Sequence, residues 1–284
     1  MKHLFAFLFL LGITFSLSAQ SVRERILLDD GWQFAFGNAS SPEKDFGCGT
    51  EYFNYLTKAA SIHNEGPYSP KFNPEKWGVD WKTVNLPHDW VVDLPYAKEA
   101  SHSHGYKAVG YKFPENSVGW YRKTITVPQE DLGKHLYLQF DGIFRDARIW
   151  INGFYLGHEP SGYATQVYDI TEYLNYGEEN LICVRADATL EEGWFYEGAG
   201  IYRHVWLNKT APLHVAPFGT FVHSTLAAPF DKAKLTIETT VENSGLQTED
   251  YRLPHPPGCR RQGSGTLRNG RSAGTAERPP AHRR

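Results

Sequence analysis

Hydrophobic and polar residues alternate in short runs along much of the chain, and this pattern predicts β-strands. In one run Ile182, Val184 and Ala186 fall on one face while Cys183 and Arg185 fall on the other. This is the period-two pattern of a strand with one face buried and the other exposed. No segment sustains a helical period. The pattern therefore predicts an all-β fold.

Local turn signals connect these runs. Asn152-Gly153 separates the apolar run at 147–151 from a second run at 154–156, and Asn-Gly is the strongest short hairpin signal because both turn residues need positive φ. The segment 168–174 predicts a single helical turn, with Asp169 or Thr171 placed to cap it. Short strands separated by frequent turns favour a jelly-roll β-sandwich.

The strand pattern divides the chain into one complete and one incomplete β-domain. The jelly roll is predicted over residues 20–213. It includes an aromatic-rich segment at 37–75, which we interpret as an ordered insertion lying over a surface of the sandwich. After Pro212 a second set of strand-like runs begins, and it stops near residue 249. Two or three strands bury too little surface to fold alone, so 214–249 is predicted to be the truncated start of a second sandwich.

The last segment, 250–284, differs in composition from the rest. Residues 251–284 contain no lysine, valine, isoleucine, phenylalanine, tryptophan or methionine and are rich in arginine, glycine and proline. Three interpretations are open: a basic disordered arm that binds nucleic acid, a low-complexity linker, and out-of-frame translation. We favour the third, because lysine gives way to arginine abruptly within a domain, and we expect the segment to be disordered.

The amino terminus has the pattern of a secretory signal peptide. Lys2 and His3 precede an apolar run at 4–17, and the small residues Ser18 and Ala19 follow. The run is too short for a spanning helix and lacks stop-transfer flanks. We therefore predict a signal peptide at 1–19, a periplasmic or secreted protein, and no membrane partner.

Composition and charge argue against several other functions. Aromatic residues make up 14% of the chain; most would fill a β-core, although aromatic rings also suit carbohydrate. The formal net charge is −3 and the body of the chain is acidic, which gives no support to nucleic-acid binding. The three cysteines are odd in number, so no disulfide is predicted.

The sequence also gives little support for a metal or cofactor site. His102 and His104 are separated by one residue without a third ligand, so we expect solvated loop histidines and no metal site. No phosphate-binding loop occurs, and Gly198-Ala-Gly200 lacks the βαβ context of a dinucleotide site. No cofactor is predicted.

Six short motifs occur in order between residues 26 and 213: Leu86-Pro-His-Asp-Trp90, Gly119-Trp-Tyr-Arg-Lys123, Phe140-Asp-Gly-Ile143, Trp150-Ile-Asn-Gly153, Asp169-Ile-Thr171 and Gly198-Ala-Gly-Ile-Tyr-Arg203. Together they resemble the amino-terminal sugar-binding domain of glycoside hydrolase family 2. That family holds β-galactosidases, β-glucuronidases and β-mannosidases, and the first and last motifs are most similar to β-galactosidase-like members.

The resemblance implies a multidomain enzyme. A jelly roll comes first, then an immunoglobulin-like sandwich, to which residues 214–249 would belong, and then a (β/α)₈ barrel with two catalytic glutamates. Members retain anomeric configuration, which needs a nucleophile and an acid/base carboxyl about 5–5.5 Å apart. Glu178-Glu179 and Glu191-Glu192 are adjacent acids of the kind found as surface charge. We therefore predict no catalytic residue in this chain, no hydrolysis by it alone, and the missing barrel domain as its partner.

The resemblance also implies where a sugar is contacted. In this family, jelly-roll loops reach the rim of the barrel pocket, which here means Glu192, Trp194 and Tyr196. A tryptophan would stack on the sugar and a carboxylate would accept hydrogen bonds from its hydroxyls; Trp194 packed into the sandwich edge is the alternative. Asp89, at a strand end, is a further substrate-binding candidate, with capping of the following turn as its alternative. Arg203 is expected to pair with a buried acid or carbonyl.

Two functions remain open. One is the amino-terminal fragment of a secreted family 2 enzyme, a β-galactosidase or else a β-glucuronidase or β-mannosidase. The other is a stand-alone carbohydrate-binding jelly roll without activity. A second domain that breaks off in mid-pattern favours the fragment, and both functions predict a β-galactoside-like glycan as ligand.

Overall fold

The computed structural model describes residues 23–48, 66–191, 193, 195–229, 232–253, 263–267 and 270–278. The predicted signal peptide at 1–19 and residues 49–65 of the insertion lie outside this set. The described residues form strands joined by loops and short 3₁₀ helices. No helix among them is long and apolar enough to cross a membrane.

The strands of this part of the chain are β1 (Arg23–Leu27), β2 (Trp32–Phe36), β3 (Lys82–Val84), β4 (Val118–Thr126), β5 (His135–Phe140), β6 (Ala147–Ile151), β7 (Phe154–Glu159), β8 (Gln166–Asp169), β9 (Glu179–Asp187), β10 (Val205–Thr210), β11 (Leu213–Ala227), β12 (Lys232–Asn243), β13 (Glu249–Leu253), β14 (Gly263–Leu267) and β15 (Gly270–Arg278). The 3₁₀ helices are Pro74–Trp77, Trp90–Asp93, His102–His104, Pro114–Asn116, Gln129–Asp131 and Thr171–Tyr173.

Two antiparallel sheets form the sandwich. One has the strand order β3-β2-β4-β9-β6-β7 and the other the order β1-β10-β5-β8. Because side chains alternate across a strand, Leu136, Leu138 and Phe140 of β5 share one face, and all three are fully buried. They belong to the same hydrophobic core as Ile149 of β6 and Ile182 of β9. The prediction of an all-β jelly-roll sandwich is confirmed.

Strand β9 is buried on both faces, which corrects the prediction of a half-exposed strand. Cys183 and Arg185, assigned to the exposed face, are each 0% exposed. The described residues of the insertion cover this face: Phe46 and Tyr68 lie in a second hydrophobic cluster with Cys183 and Trp120. The alternation along β9 is therefore between two cores, and the insertion lies over the sandwich as its aromatic residues predicted.

Both local turn predictions are confirmed. Asn152 and Gly153 have φ values of 50° and 87°, and β6 pairs with β7 as an antiparallel hairpin. Nδ2 of Asn152 donates to the carbonyl oxygen of Tyr173 at 2.8 Å, which joins the hairpin to the 3₁₀ helix that follows β8. The predicted helical turn is the 3₁₀ helix Thr171–Tyr173, and Oδ1 of Asp169 accepts from the backbone N–H of Thr171 at 3.0 Å.

The second β-domain has a three-stranded sheet of order β11-β12-β15 and a two-stranded sheet of β13 and β14. The expected disorder of 250–284 is not what the described residues show, because β14 and β15 are strands, and β15 pairs along β12 from Asn243↔Gly270 to Leu235↔Arg278. Backbone pairing at a sheet edge requires no hydrophobic side chains, so a segment rich in glycine, serine and threonine adds a strand there. The prediction of disorder depended on the missing apolar residues, which backbone pairing of this kind does not need.

Candidate functional site

Asp89 lies immediately before the 3₁₀ helix Trp90–Asp93. Its Oδ1 accepts hydrogen bonds from the backbone N–H of Val91 at 3.0 Å and of Ala199 at 2.9 Å. Its Oδ2 accepts from the hydroxyl of Tyr196 at 2.8 Å. Asp89 therefore caps the following turn, and it also joins that turn to the segment 196–199. Two of the four predicted site residues are thus in direct contact.

Two glycines of the Gly-Ala-Gly motif make this contact sterically possible. A Cβ on Gly198 would lie 2.2 Å from Oδ2 of Asp89. Gly200 has φ 119°, and a Cβ there would lie 2.4 Å from the hydroxyl of Tyr121. Glycine is required at both positions because the backbone at 198 approaches the Asp89 side chain, and the backbone at 200 approaches strand β4, too closely for a side chain.

Tyr196 presents its ring at the surface and its hydroxyl to Asp89. The residue is 51% exposed, and its ring lies against Gly105 in the turn that follows the 3₁₀ helix His102–His104. Burial and the hydrogen bond to Asp89 raise the pKa of Tyr196 well above its ordinary value. The hydroxyl therefore remains a donor to the carboxylate throughout the physiological pH range.

A cavity of about 170 Å³, which we call the rim cavity, opens beside this pair. Its lining consists of Asp89, Phe144, Tyr163, Tyr196, Glu197, Gly198, Ala199 and Tyr202. The rings of Phe144 and Tyr163 are 5.7 Å apart, and the hydroxyl of Tyr202 donates to the carbonyl oxygen of Gly162 at 2.9 Å. The cavity combines aromatic surface for stacking with polar groups for hydrogen bonding.

Sequence reasoning missed four of these lining residues: Phe144, Tyr163, Glu197 and Tyr202. Tyr202 lies inside the motif that ends at Arg203, and Phe144 directly follows the motif that ends at Ile143, so both could have been included. Tyr163 carries no local signal, because it reaches the cavity from a different loop. Arg203, expected to pair with a buried group, is exposed.

The other two predicted site residues, Glu192 and Trp194, lie outside the described residues. The described residues Gly193 and Glu197 are hydrogen-bonded to the 3₁₀ helix His102–His104. The hydroxyl of Ser103 donates to the carbonyl oxygen of Gly193 at 2.5 Å, and the backbone N–H of Glu197 donates to the carbonyl oxygen of Ser103 at 2.6 Å.

His104 differs from its expected role as a solvated loop histidine. It is 0% exposed, and its Nδ1 lies 2.7 Å from the carbonyl oxygen of Glu197. The short 3₁₀ turn at 102–104 is thus a support for the rim cavity.

Glu178, Glu179 and Glu191, which the sequence indicates as surface charge, are exposed. The described residues contain no group of three or more histidine, cysteine or acidic side chains arranged to hold a metal ion.

The chain thus folds as an all-β sandwich that carries a small cavity lined by aromatic and polar groups. A family model described as "Glycosyl hydrolases family 2, sugar binding domain" matches residues 68–211. The chain therefore belongs to glycosyl hydrolase family 2.

Named relatives agree with this membership. The chain is 39% identical over 172 residues to the β-galactosidase BoGH2A of Bacteroides ovatus, covering 60% of this chain and 20% of that protein. It is 28% identical over 253 residues to a β-glucuronidase of Bacteroides fragilis, covering 85% of this chain and 29% of that protein. A crystal structure of a family 2 member from Bacteroides cellulosilyticus superposes with a TM-score of 0.65 at 26% identity, covering 90% of this chain and 30% of that one. The chain thus spans less than a third of the length of these proteins.

Proposed function

We propose that this chain is the amino-terminal, sugar-binding part of a β-galactosidase and that its rim cavity contacts the sugar held by the catalytic barrel. The name of the relative with 39% identity supports the galactoside assignment. The observation that carries the proposal is the hydrogen bond between Tyr196 and Asp89 at the mouth of an aromatic cavity.

The Asp89 carboxylate retains capacity for a ligand. An ionised carboxylate has about four lone-pair sites, and three are used by Val91, Ala199 and Tyr196. One site is left for a sugar hydroxyl. Tyr163 is 53% exposed and offers its ring face next to this site. A sugar ring needs both kinds of contact, since one face is apolar and its edge carries hydroxyls.

The size of the rim cavity favours a shared site. Its volume of about 170 Å³ is below the roughly 300–1,000 Å³ of a complete small-molecule site. We infer that the sandwich contributes one wall and that the barrel supplies the rest, including the two carboxyl groups about 5–5.5 Å apart that retaining hydrolysis needs. The chain alone is therefore proposed to bind weakly and not to hydrolyse.

A β-glucuronidase is the second candidate. The relative that matches 85% of this chain carries that name. The substrate carboxylate or C6 hydroxyl that separates these activities would be read mainly by residues of the barrel, so this chain supports the assignment to family 2 more strongly than the choice of sugar.

The purified chain tests the proposal by saturation-transfer NMR with methyl β-galactoside and methyl β-glucuronide. We expect transfer to the galactoside, and a weaker signal for Tyr163→Ala. Tyr173→Ala is the matched control, because this exposed tyrosine lies on the 3₁₀ helix Thr171–Tyr173, away from the cavity. Transfer to neither glycoside contradicts the rim proposal, and a glucuronide signal that Tyr163→Ala weakens favours the second candidate. Turnover of a chromogenic β-galactoside by the chain alone would refute the expected inactivity.

Export remains part of the proposal. The support is the cationic start followed by the apolar run at 4–17. Expression with the native amino terminus in a bacterial host, followed by fractionation and amino-terminal sequencing, is expected to give a periplasmic product that begins near Gln20. An uncleaved cytoplasmic product would contradict it.

A further inference from the structure

The outer face of the four-stranded sheet carries an ordered set of polar and aromatic side chains. Residues directly opposite each other on paired strands share a face, and Arg25 on β1 lies opposite Asn208 on β10, which lies opposite Tyr137 on β5. The next row on this face pairs Trp206 with Gln139. The residues between these rows, such as Leu207, face the hydrophobic core.

The second domain turns this face into a groove. Strand β11 departs from regular pairing between Val215 and Thr220, and within that irregular stretch Phe218 is 73% exposed. Phe218 and the outer face of the sheet enclose a cavity of about 320 Å³, which we call the sheet groove. The groove therefore needs both domains.

The groove is lined by groups that recognise an anion and hydroxyls. Arg23, Arg25, Gln139, Asn208, Thr210 and Phe218 are among its lining residues, and no carboxylate is among the described residues that line it. Oδ2 of Asp141 is 3.9 Å from a guanidinium nitrogen of Arg25. This ion pair is weak, because the two groups are far apart for a salt bridge and the side chain of Arg25 is 46% exposed.

Arg25 is held ready for a ligand. Its guanidinium carbon lies 3.7 Å from the ring centroid of Trp206, and Trp206 is itself fixed by a hydrogen bond from its Nε1 to Oδ2 of Asp141 at 2.8 Å. Stacking on an aromatic face leaves the N–H edge of a guanidinium available for a planar carboxylate or a sulfate. A side chain positioned before binding loses less conformational entropy when the ligand arrives.

We propose that the sheet groove binds an acidic saccharide, a sugar bearing a uronate or sulfate group. The anionic group meets Arg25, the ring hydroxyls meet Asn208 and Thr210, and the ring of Phe218 covers an apolar face of the sugar. The volume of about 320 Å³ lies within the range of small-molecule sites, roughly 300–1,000 Å³, which favours a sugar over a single inorganic ion.

This site is separate from the rim cavity, and the inference does not depend on the proposed function. Strand β10 begins at Val205, next to the rim segment that ends at Arg203, and it ends at Thr210 in the groove. Five residue steps along a strand span about 16 Å, so β10 places the groove apart from the rim.

Calorimetric titration of the full chain tests the proposal, with a glucuronate-containing disaccharide, its neutral counterpart of the same linkage, and sodium sulfate as probes. We expect the acidic disaccharide to bind most tightly and its affinity to fall as salt rises. Arg25→Gln should weaken binding of the acidic sugar roughly tenfold or more. The affinity of Arg25→Lys should lie between those of the parent and Arg25→Gln, because lysine keeps the positive charge but lacks the planar guanidinium that can donate two parallel hydrogen bonds. Phe218→Ser should weaken both sugars.

A matched control separates this site from general charge effects. Lys82→Gln removes an exposed cation from the other sheet and should leave the affinity unchanged. Near-UV circular dichroism checks that each variant is folded. Equal affinity for the acidic and neutral disaccharides, an Arg25→Gln variant that binds like the parent, or sulfate binding as tightly as the acidic sugar would each overturn the proposal.

Discussion

Asp45 and Arg185 form a fully buried ion pair although 140 positions separate them in sequence. Oδ2 of Asp45 is 2.9 Å from Nη2 of Arg185 and 3.1 Å from its Nε, and both side chains are 0% exposed. Arg185 Nη1 also reaches Oδ2 of Asp187 at 3.1 Å, and Oδ1 of Asp45 accepts from Nε1 of Trp120 at 2.7 Å. The insertion is thus joined to the centre of the six-stranded sheet by charge as well as by aromatic packing.

Removing Asp45 should therefore destabilise the whole sandwich. Asp45→Ala leaves a buried guanidinium with one remaining carboxylate, and breaking a buried pair costs about 3–5 kcal/mol. Asp45→Asn should cost less, because its amide oxygen can still accept from Trp120. Urea unfolding followed by tryptophan fluorescence measures both variants. Glu24→Ala is the control: Glu24 is 3.6 Å from Lys209 and about half exposed, so its loss should cost less than about 1 kcal/mol. Equal effects of Asp45→Ala and Glu24→Ala would contradict the role of the buried pair.

Gly200→Ala should destabilise the protein more than the same substitution at a left-handed glycine with open space around it. Gly200 combines φ 119° with a close approach, since an added Cβ would lie 2.4 Å from the hydroxyl of Tyr121, whereas Gly78 has φ 60° with nothing within 4 Å of such a Cβ. Strain alone costs about 1–2 kcal/mol, and overpacking adds about 1–3 kcal/mol. Thermal unfolding of Gly200→Ala and Gly78→Ala should show the larger loss for the first. Similar losses would mean that the close approach at Gly200 is not required.

The sequence predicts most of the strands because their determinants are local. Alternation in β9 and the Asn152-Gly153 turn depend on neighbouring residues, and both were found where the pattern placed them. What alternation cannot show is which layer covers each face. Arg185 looked like a solvent-facing residue because its partner, Asp45, comes from a loop far along the chain.

The rim cavity likewise combines residues that the sequence predicts with contacts that it does not. Asp89 lies in one motif and Tyr196 just before another, and both were predicted, but their mutual hydrogen bond and the neighbouring Tyr163 depend on how separate loops meet. The burial of His104 was missed for the same reason, since the sequence does not reveal that the backbone of Glu197 contacts its ring. Tertiary contacts between loops carry no periodic signal.

A pH-sensitive cluster lies at the junction of the two domains. Nε2 of His214 is 2.9 Å from the hydroxyl of Tyr137 and 3.4 Å from Oε2 of Glu242. The ring of His135 lies 5.2 Å from that of His214 and is hydrogen-bonded to Asp169. Burial lowers the pKa of His214 below its ordinary value, and the nearby His135 acts in the same direction, although Glu242 opposes them.

Stability should consequently fall as the solution becomes mildly acidic. The folded pKa of His214 lies below the unfolded value of about 6.5, so the unfolded chain binds the proton more tightly. The stabilisation is complete above about pH 6.5 and is lost as the pH falls from there toward the folded pKa. Burial also lowers the pKa of His88, although the charges of Asp89 and Asp93 act in the opposite direction. Both histidines therefore lower the stability of the fold as the pH falls.

Urea unfolding between about pH 5 and pH 7.5 measures this dependence. Each histidine contributes a slope of at most about 1.4 kcal/mol per pH unit. We expect His214→Gln and His88→Gln each to flatten the curve, and the double variant to flatten it further. An unchanged slope in both single variants would assign the pH dependence to other groups.

The pKa of the Tyr196 hydroxyl reports on its hydrogen bond to Asp89. Burial comes first among the causes that raise its pKa, and the hydrogen bond to Asp89 and the charge of that carboxylate add to it. Asp89→Asn keeps the size of the side chain but removes the charge, so the phenol should ionise at a lower pH than in the parent, while burial still holds it above the ordinary value. NMR titration of tyrosine labelled at the ring carbon next to the hydroxyl detects the change, with Tyr202 as an internal reference because its hydroxyl is bonded to a backbone carbonyl instead. If Tyr196 titrates identically in both proteins, its hydroxyl is not hydrogen-bonded to the Asp89 carboxylate. Asp89 would then not be held in place by Tyr196 as an acceptor for a sugar hydroxyl.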